Sequence, residues 1–80
     1  MKNVSDKSKI EKGIVLFFRT ITDNEFHASD IRRFVIETQH MTSNPYHDTI
    51  LRYMRRLDQN GVISYQNIGQ KSESRYRKLF

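Results

Sequence analysis

Three arginines lie within residues 52–56, and Arg52, Arg55 and Arg56 are the side chains with the clearest potential chemistry. A guanidinium group is permanently charged, and its planar set of N–H donors matches either a phosphate or the edge of guanine. Such a run alone is more often a solvated helix face. The charge distribution alters that balance, because residues 1–42 carry 7 basic and 6 acidic side chains whereas residues 43–80 carry 7 and 3. The sequence therefore predicts a polyanion-binding surface in its C-terminal half.

The arginines belong to a segment that has the signals of a helix. Asn44 and Pro45 match an N-cap followed by proline at the first helical position, and Gly61 provides a left-handed stop after Asn60. The apolar stripe of this helix consists of Ile50, Leu51, Met54 and Leu57. At about 100° per residue, the opposite face is mostly polar and charged. It carries Pro45, Asp48, Thr49, Arg52, Arg55, Arg56 and Gln59.

An earlier helix, helix 1, is predicted to start where Ser5 or Asp6 can cap its first turn. Its core stripe recurs with helical spacing and consists of Ile10, Ile14, Phe17, Phe18 and Ile21. Val15 and Leu16 fall outside this stripe, so the helix is apolar around much of its circumference. A second buried contact would explain the pattern, and Val15 and Leu16 are therefore the candidate interface of a homodimer.

A short strand and helix 2 follow. Phe26 and His27 form the predicted strand, which leads to Ser29 as the N-cap of helix 2. Glu25 is expected in a solvated turn just before the strand. The core face of helix 2 consists of Ile31, Phe34 and Val35.

A hairpin is predicted at the C-terminal end. Residues 62–68 and 75–80 are rich in β-branched and aromatic side chains, and the polar, basic residues 69–74 join them. The aromatic side chains expected to pack rather than to stack on bases are Tyr46, Tyr53, Tyr65, Tyr76 and Phe80.

The stretch "TILRYMRRLDQNGVISY", residues 49–65, resembles the end of the third helix and the first wing strand of winged helix-turn-helix DNA-binding domains. The resemblance extends over residues 7–80 and implies an α+β fold. The length of 80 residues predicts one domain, residues 1–80, of which residues 1–5 are expected to be flexible. The fold that the resemblance implies comprises three helices, a C-terminal β-hairpin wing and a very short strand between helices 1 and 2. The resemblance implies that helix 3, near residues 45–60, enters the major groove while the wing, residues 62–80, lies on the backbone or the minor groove.

The resemblance and the side-chain chemistry together assign candidate DNA contacts. On the recognition helix they are Asn44, Tyr46, His47, Asp48, Thr49, Arg52, Arg55 and Arg56. On the wing they are Gln70, Lys71, Ser72, Ser74, Arg75 and Arg77, and the backbone-positioning hydroxyls are those of Ser29 and Thr42. Arg52 is the expected leading base contact, and Arg56 reaches a base edge or a phosphate. Asp48 either accepts a hydrogen bond from the amino group of cytosine or forms an ion pair with Arg52, one helical turn away.

Other chemistries find little support in the sequence. The chain has no cysteine, and His27, His40 and His47 are separated by 13 and 7 residues, which fits no compact metal motif. No glycine-rich phosphate loop or nucleophile elbow occurs, so we predict no enzyme, no cofactor, no metal and no small-molecule ligand. Neither a membrane span nor a signal peptide is recognisable, and we expect a cytoplasmic location without membrane partners.

Three functions are therefore compatible with the sequence. The first is a small transcription regulator that binds double-stranded DNA through helix 3. The second is a winged-helix protein-interaction module in replication, partition or packaging machinery, because a fold alone does not determine function. The third is a nonspecific binder of nucleic acid that uses only charge. A sequence preference separates the first function from the third, and the absence of DNA affinity points to the second.

Overall fold

The computed structural model describes residues 6–42, 44–69 and 75–79 of the chain, and within them it contains three helices and one antiparallel sheet. The helices are α1 (Asp6–Thr20), α2 (Ala28–Thr38) and α3 (His47–Gln59). The strands are β1 (Glu25–His27), β2 (Tyr65–Asn67) and β3 (Arg75–Lys78). The predicted small α+β domain of three helices, a short strand and two later strands is confirmed at this level. The segment predicted to be flexible, residues 1–5, lies outside the described residues.

The sheet has the order β1-β3-β2, so the last strand in sequence lies at its centre. Phe26 of β1 is opposite Tyr76 of β3, and Tyr76 is in turn opposite Asn67 of β2. Because side chains alternate between the two faces of a strand, Phe26 and Tyr76 share the face that packs on the helices. Both are buried, and their rings stack with centroids 5.8 Å apart.

The core is built largely from the predicted apolar stripes. From α1, Ile10, Ile14, Phe17 and Phe18 are buried, and the Phe17 ring makes edge contacts with Phe26 and Phe34 at centroid separations of 5.2 and 5.3 Å. The stripes on α2 and α3 contribute Ile31, Val35, Ile50, Met54 and Leu57. Their burial turns the opposite, charged face of α3 outward.

Helices α1 and α2 approach closely at Gly13. A Cβ atom at this position would lie 2.8 Å from Cγ2 of Val35 and 3.1 Å from its Cα. The absence of a side chain at Gly13 therefore sets how near the two helices lie.

The predicted start of α2 at Ser29 is wrong. Helix α2 begins at Ala28 with His27 as its N-cap, so Ser29 is already inside the first turn. The His27 N–H donates to Oδ2 of Asp30 at 3.0 Å, which supplies a reciprocal capping bond. The physical reason for the earlier start is that β1 runs directly into the helix, with His27 as the last residue of one and the cap of the other.

The predicted start of α3 is also wrong by two residues. Tyr46, with extended dihedral angles, is the N-cap, and neither Asn44 nor Pro45 is helical. The Pro45 carbonyl accepts a 2.7 Å hydrogen bond from Nε of Arg32 on α2, while the Thr49 and Ile50 N–H groups bond to the Tyr46 carbonyl. The segment before α3 is thus tied to α2. The predicted stop is confirmed, since Gly61 has φ 78° directly after Asn60.

Several aromatic and acidic side chains differ from expectation. Tyr46 is 80% exposed, so the prediction that it packs is wrong, whereas Tyr53, Tyr65 and Tyr76 do pack in or against the core. Glu25 lies in β1 rather than in a turn. Phe80 lies outside the described residues. Within residues 6–42, 44–69 and 75–79, no helix combines the length and the apolar character needed to cross a bilayer.

Candidate nucleic-acid interface

Helix α3 presents two different faces. Ile50 and Met54 are fully buried and Leu57 nearly so, whereas Arg52 and Arg55 are exposed on the other side. The helix therefore acts as a rigid support for both guanidinium groups.

Four residues of α3 surround a shallow depression of about 230 Å³ on this outer face: Asp48, Leu51, Arg52 and Arg55. Within the described part of the chain, no hydrogen bond or ion pair involves the side chain of Arg52 or Arg55, and the alternative Asp48–Arg52 pair is not formed. Two guanidinium groups and one carboxylate are thus close together and available to an external partner.

Arg56 has different surroundings, although it lies only one helical turn from Arg52. Its guanidinium carbon is 5.5 Å from the centroid of the Tyr53 ring, and Nη1 is 4.0 Å from Oε2 of Glu11 on α1. These contacts direct the Arg56 side chain towards α1, away from the depression.

The N-terminal end of α3 is open to solvent. Asn44, His47 and Asp48 are exposed along with Tyr46, while Thr49 is half-buried. The Arg32 hydrogen bond to the carbonyl of Pro45 fixes the backbone before these side chains.

The two arginines of β3, Arg75 and Arg77, are bound to an acid on the neighbouring strand. Nη2 of Arg75 is 3.1 Å from Oε1 of Glu25, and Nη2 of Arg77 is 3.2 Å from Oε2 of the same carboxylate. The predicted placement of Arg75 and Arg77 on one side of the strand agrees with this geometry. The hydrogen bond from Arg77 is the largest cause of a lowered pKa at Glu25, and the bond from Arg75 lowers this pKa further against the opposing effect of desolvation.

Sequence reasoning missed Glu25 as part of this group. The signal was present: Glu25 and His27 flank Phe26 in the same way that Arg75 and Arg77 flank Tyr76. Pairing the two aromatic residues places Glu25 opposite Arg77.

Tyr65 of β2 lies near the C-terminal half of α3. Burial is the main cause of its raised pKa, the negative charge of Asp58 raises it further, and the positive charge of Arg55 acts in the opposite direction.

The remaining predicted contacts are scattered or undescribed. Ser29 and Thr42 are exposed, one in the first turn of α2 and the other between α2 and α3. The predicted tip contacts Gln70, Lys71, Ser72 and Ser74 lie outside the described residues.

The outer face of α1 forms a second concave surface. Val15 is partly buried against the core, and Leu16 is 38% exposed. An open groove of about 490 Å³ runs along this face. It is lined by Glu11, Lys12, Val15, Leu16, Arg19, Gln39 and Leu57.

A search for metal-binding side chains and comparisons with known proteins gave no further candidate site and no family. Across residues 6–42, 44–69 and 75–79, no three histidine, aspartate or glutamate side chains lie close enough to hold a metal ion. No family model, no curated protein and no solved structure matches this chain.

Proposed function

We propose that this chain is a winged-helix protein that binds double-stranded DNA and acts as a small transcription regulator. The observation that carries the proposal is the pair Arg52 and Arg55, exposed beside Asp48 on the face of α3 opposite its buried stripe. The order of helices and strands, with an antiparallel sheet following α3, supports the winged-helix assignment.

In this proposal α3 enters the major groove. The helix has 13 residues and is about 20 Å long, and a groove about 12 Å wide admits it. Arg52 makes the leading base contact, since its guanidinium has no partner within the described residues. Arg55, exposed beside Arg52 on the same face, binds the DNA backbone.

Asp48 favours sequence readout over purely charge-driven binding. A carboxylate is repelled by phosphate, yet it can accept a hydrogen bond from the amino group of cytosine. Its position beside Arg52 allows the two side chains to address neighbouring base pairs, with guanine as the natural partner of the arginine.

A second candidate function is favoured by the groove on α1. Leu16 is exposed there next to Val15, and an exposed apolar groove is a common feature of protein-interaction sites. In that case the domain is an interaction module in replication, partition or packaging machinery, and α3 is a solvated surface.

Selection from a randomised DNA duplex library, followed by fluorescence anisotropy at low and high salt, tests the proposal. The selected duplex is expected to bind at least about a thousandfold more tightly than random duplex, and a matching RNA duplex provides the control. Equal affinity for all duplexes with a steep salt dependence would instead identify a nonspecific binder. No affinity for any nucleic acid would favour the interaction module.

A further inference from the structure

The wing arginines do not extend separately into solvent, because one carboxylate binds both. Each oxygen of Glu25 receives one guanidinium nitrogen, from Arg75 at 3.1 Å and from Arg77 at 3.2 Å. All three side chains remain 41–48% exposed, so the group lies at the surface and an external anion can reach it. Two guanidinium groups converge there on a single anionic position.

We propose that Glu25 is an internal substitute for a DNA phosphate and that a phosphate of the bound duplex displaces it from Arg75 and Arg77. This inference rests on the proposed DNA-binding function and adds a specific phosphate site with a built-in competitor. A carboxylate and a phosphodiester each present two equivalent oxygens with one shared negative charge, and both accept paired hydrogen bonds from guanidinium groups.

The sheet explains why the two arginines stay together after displacement. Arg75 and Arg77 are two positions apart on the central strand β3, so their side chains project from the same face. β3 is hydrogen-bonded on both sides, by β1 and by β2. The spacing of the two guanidinium groups is therefore maintained by the backbone, and Glu25 is not needed to bring them together.

Glu25 lowers phosphate affinity in two ways. It occupies the donors that would otherwise bind phosphate, and its negative charge reduces the local positive potential. Displacement moves a half-exposed carboxylate fully into water, and the hydration that Glu25 regains offsets part of the ion-pair energy that is lost. The expected result is a wing that binds phosphate but with reduced strength, which leaves a larger share of discrimination to α3.

The test compares Glu25→Gln with Glu37→Gln in the full chain. Glu37 is exposed near the end of α2 and makes no ion pair with any described residue, so its replacement changes net charge equally without touching the wing. We expect Glu25→Gln to bind a random duplex about two- to fivefold more tightly than Glu37→Gln, in the range of surface charge interactions. Its slope of log affinity against log salt should steepen by up to about 1.

A double-mutant cycle with Arg77→Ala separates competition from a general effect of charge. In the Arg77→Ala background, the gain from Glu25→Gln should shrink towards that of Glu37→Gln because one of the two released donors is missing. Circular dichroism of each variant verifies that the helices are retained. A gain that is unchanged in this background would overturn the displacement mechanism.

The remaining outcomes are equally decisive. If Glu25→Gln binds duplex no more tightly than Glu37→Gln, or more weakly, Glu25 does not compete with phosphate and the inference alone is overturned. If neither the wild-type chain nor any variant binds duplex, the proposed function fails, and the inference that rests on it fails too.

Discussion

Arg52 and Arg56 are the same residue type, one helical turn apart, yet their surroundings give them different expected roles. Arg56 contacts the Tyr53 ring and Glu11, whereas Arg52 borders the open depression on α3. We predict that Arg52→Ala weakens binding to the preferred duplex by about 1–3 kcal/mol and relaxes preference at one base pair. Arg56→Ala should have a smaller effect without loss of preference. Anisotropy titrations against single-position variants of the selected duplex measure both.

Lys71→Ala provides the contrasting change, because Lys71 is a phosphate contact expected from the sequence. A phosphate contact carries no sequence information, so its loss should weaken all duplexes similarly and reduce the salt slope by about 1. If Arg52→Ala and Lys71→Ala have the same profile across sequences, the division between a reading helix and a positioning wing is incorrect.

Protonation of Glu25 provides a pH-dependent prediction. Its pKa is lowered from 4.5 in the folded chain, chiefly by Arg77. Because the pKa of Glu25 is lower in the folded chain than in the unfolded chain, its ionised form stabilises the fold at pH values above the unfolded-state pKa. This stabilisation is lost as the pH falls through the folded-state pKa. We therefore expect a small decrease in stability below about pH 4.5 that Glu25→Gln lacks. Urea unfolding of both chains across this range measures the difference, and identical pH profiles would contradict it.

Single residues mark the limit of sequence-based prediction for the candidate site. The outward position of Arg52 followed from helical periodicity alone, because it depends only on which face of α3 is apolar. The exposure of Tyr46 did not follow, since it depends on where α3 begins and hence on the hydrogen bond from Arg32 to Pro45. The partner of Arg77 depends on strand pairing between distant segments, which periodicity does not report.

At the scale of elements, the contact between α1 and α2 at Gly13 gives a stability prediction. Alanine normally favours a helix over glycine by about 1 kcal/mol, but here its Cβ would lie 2.8 Å from Val35. We expect Gly13→Ala to destabilise the chain by about 1–3 kcal/mol, because overpacking outweighs helix propensity. Urea denaturation of the full chain measures this change.

Val35→Ala supplies the matched control for Gly13→Ala. It removes the two methyl groups nearest to the new Cβ, so Gly13→Ala should be much less destabilising in the Val35→Ala background. Additive effects of the two substitutions would mean that the helices separate freely and that Gly13 does not set their distance.

The elements themselves were more predictable than their boundaries. The stripes of α1, α2 and α3 identify the helices because burial imposes a regular spacing over several turns. Ser29 and Asn44 are residue types that favour the N-cap position, but the N-caps of α2 and α3 are His27 and Tyr46. A cap preference of about 1 kcal/mol is readily overridden by strand pairing or a side-chain hydrogen bond.

At the scale of the whole molecule, the groove on α1 leads to a prediction about association. We expect a homodimer through Val15 and Leu16, on a surface where Lys12 and Arg19 outnumber the acid Glu11 and leave a net positive charge. Dimerisation brings the positive surfaces of two protomers together, and salt screens the repulsion between them. The dimer should therefore tighten as salt increases, whereas DNA binding should weaken. Sedimentation velocity at low and high salt measures this opposite dependence.

Leu16→Lys tests whether the interface is on α1. It adds a charge to the lining of the groove and should leave the chain monomeric at concentrations where the wild type associates. Val62→Lys is the control, because Val62 is also exposed but lies outside the groove. A wild-type chain that is monomeric at every concentration and salt level would contradict the dimer.

The uneven charge of the two halves of the chain could be read from the sequence, but the strand order of the sheet could not be predicted from it. A hairpin and a separate short strand were predicted, whereas β1 pairs with β3 across about 50 intervening residues, Glu25 being opposite Arg77. Strands of three and four residues carry too little periodicity to specify such a partner.

The central position of β3 also determines when the sheet can form during synthesis. Among the strands of the described residues, β1 and β2 each pair with β3 and not with each other, so neither pair can form until residues 75–78 have emerged from the ribosome. The helices α1, α2 and α3 emerge earlier and can pack around Ile14, Ile31 and Met54, but Phe26 then lacks Tyr76 beside it. Translation thus delivers the three helices first, and β3 arrives later to complete the aromatic core and to bring Arg75 and Arg77 to Glu25.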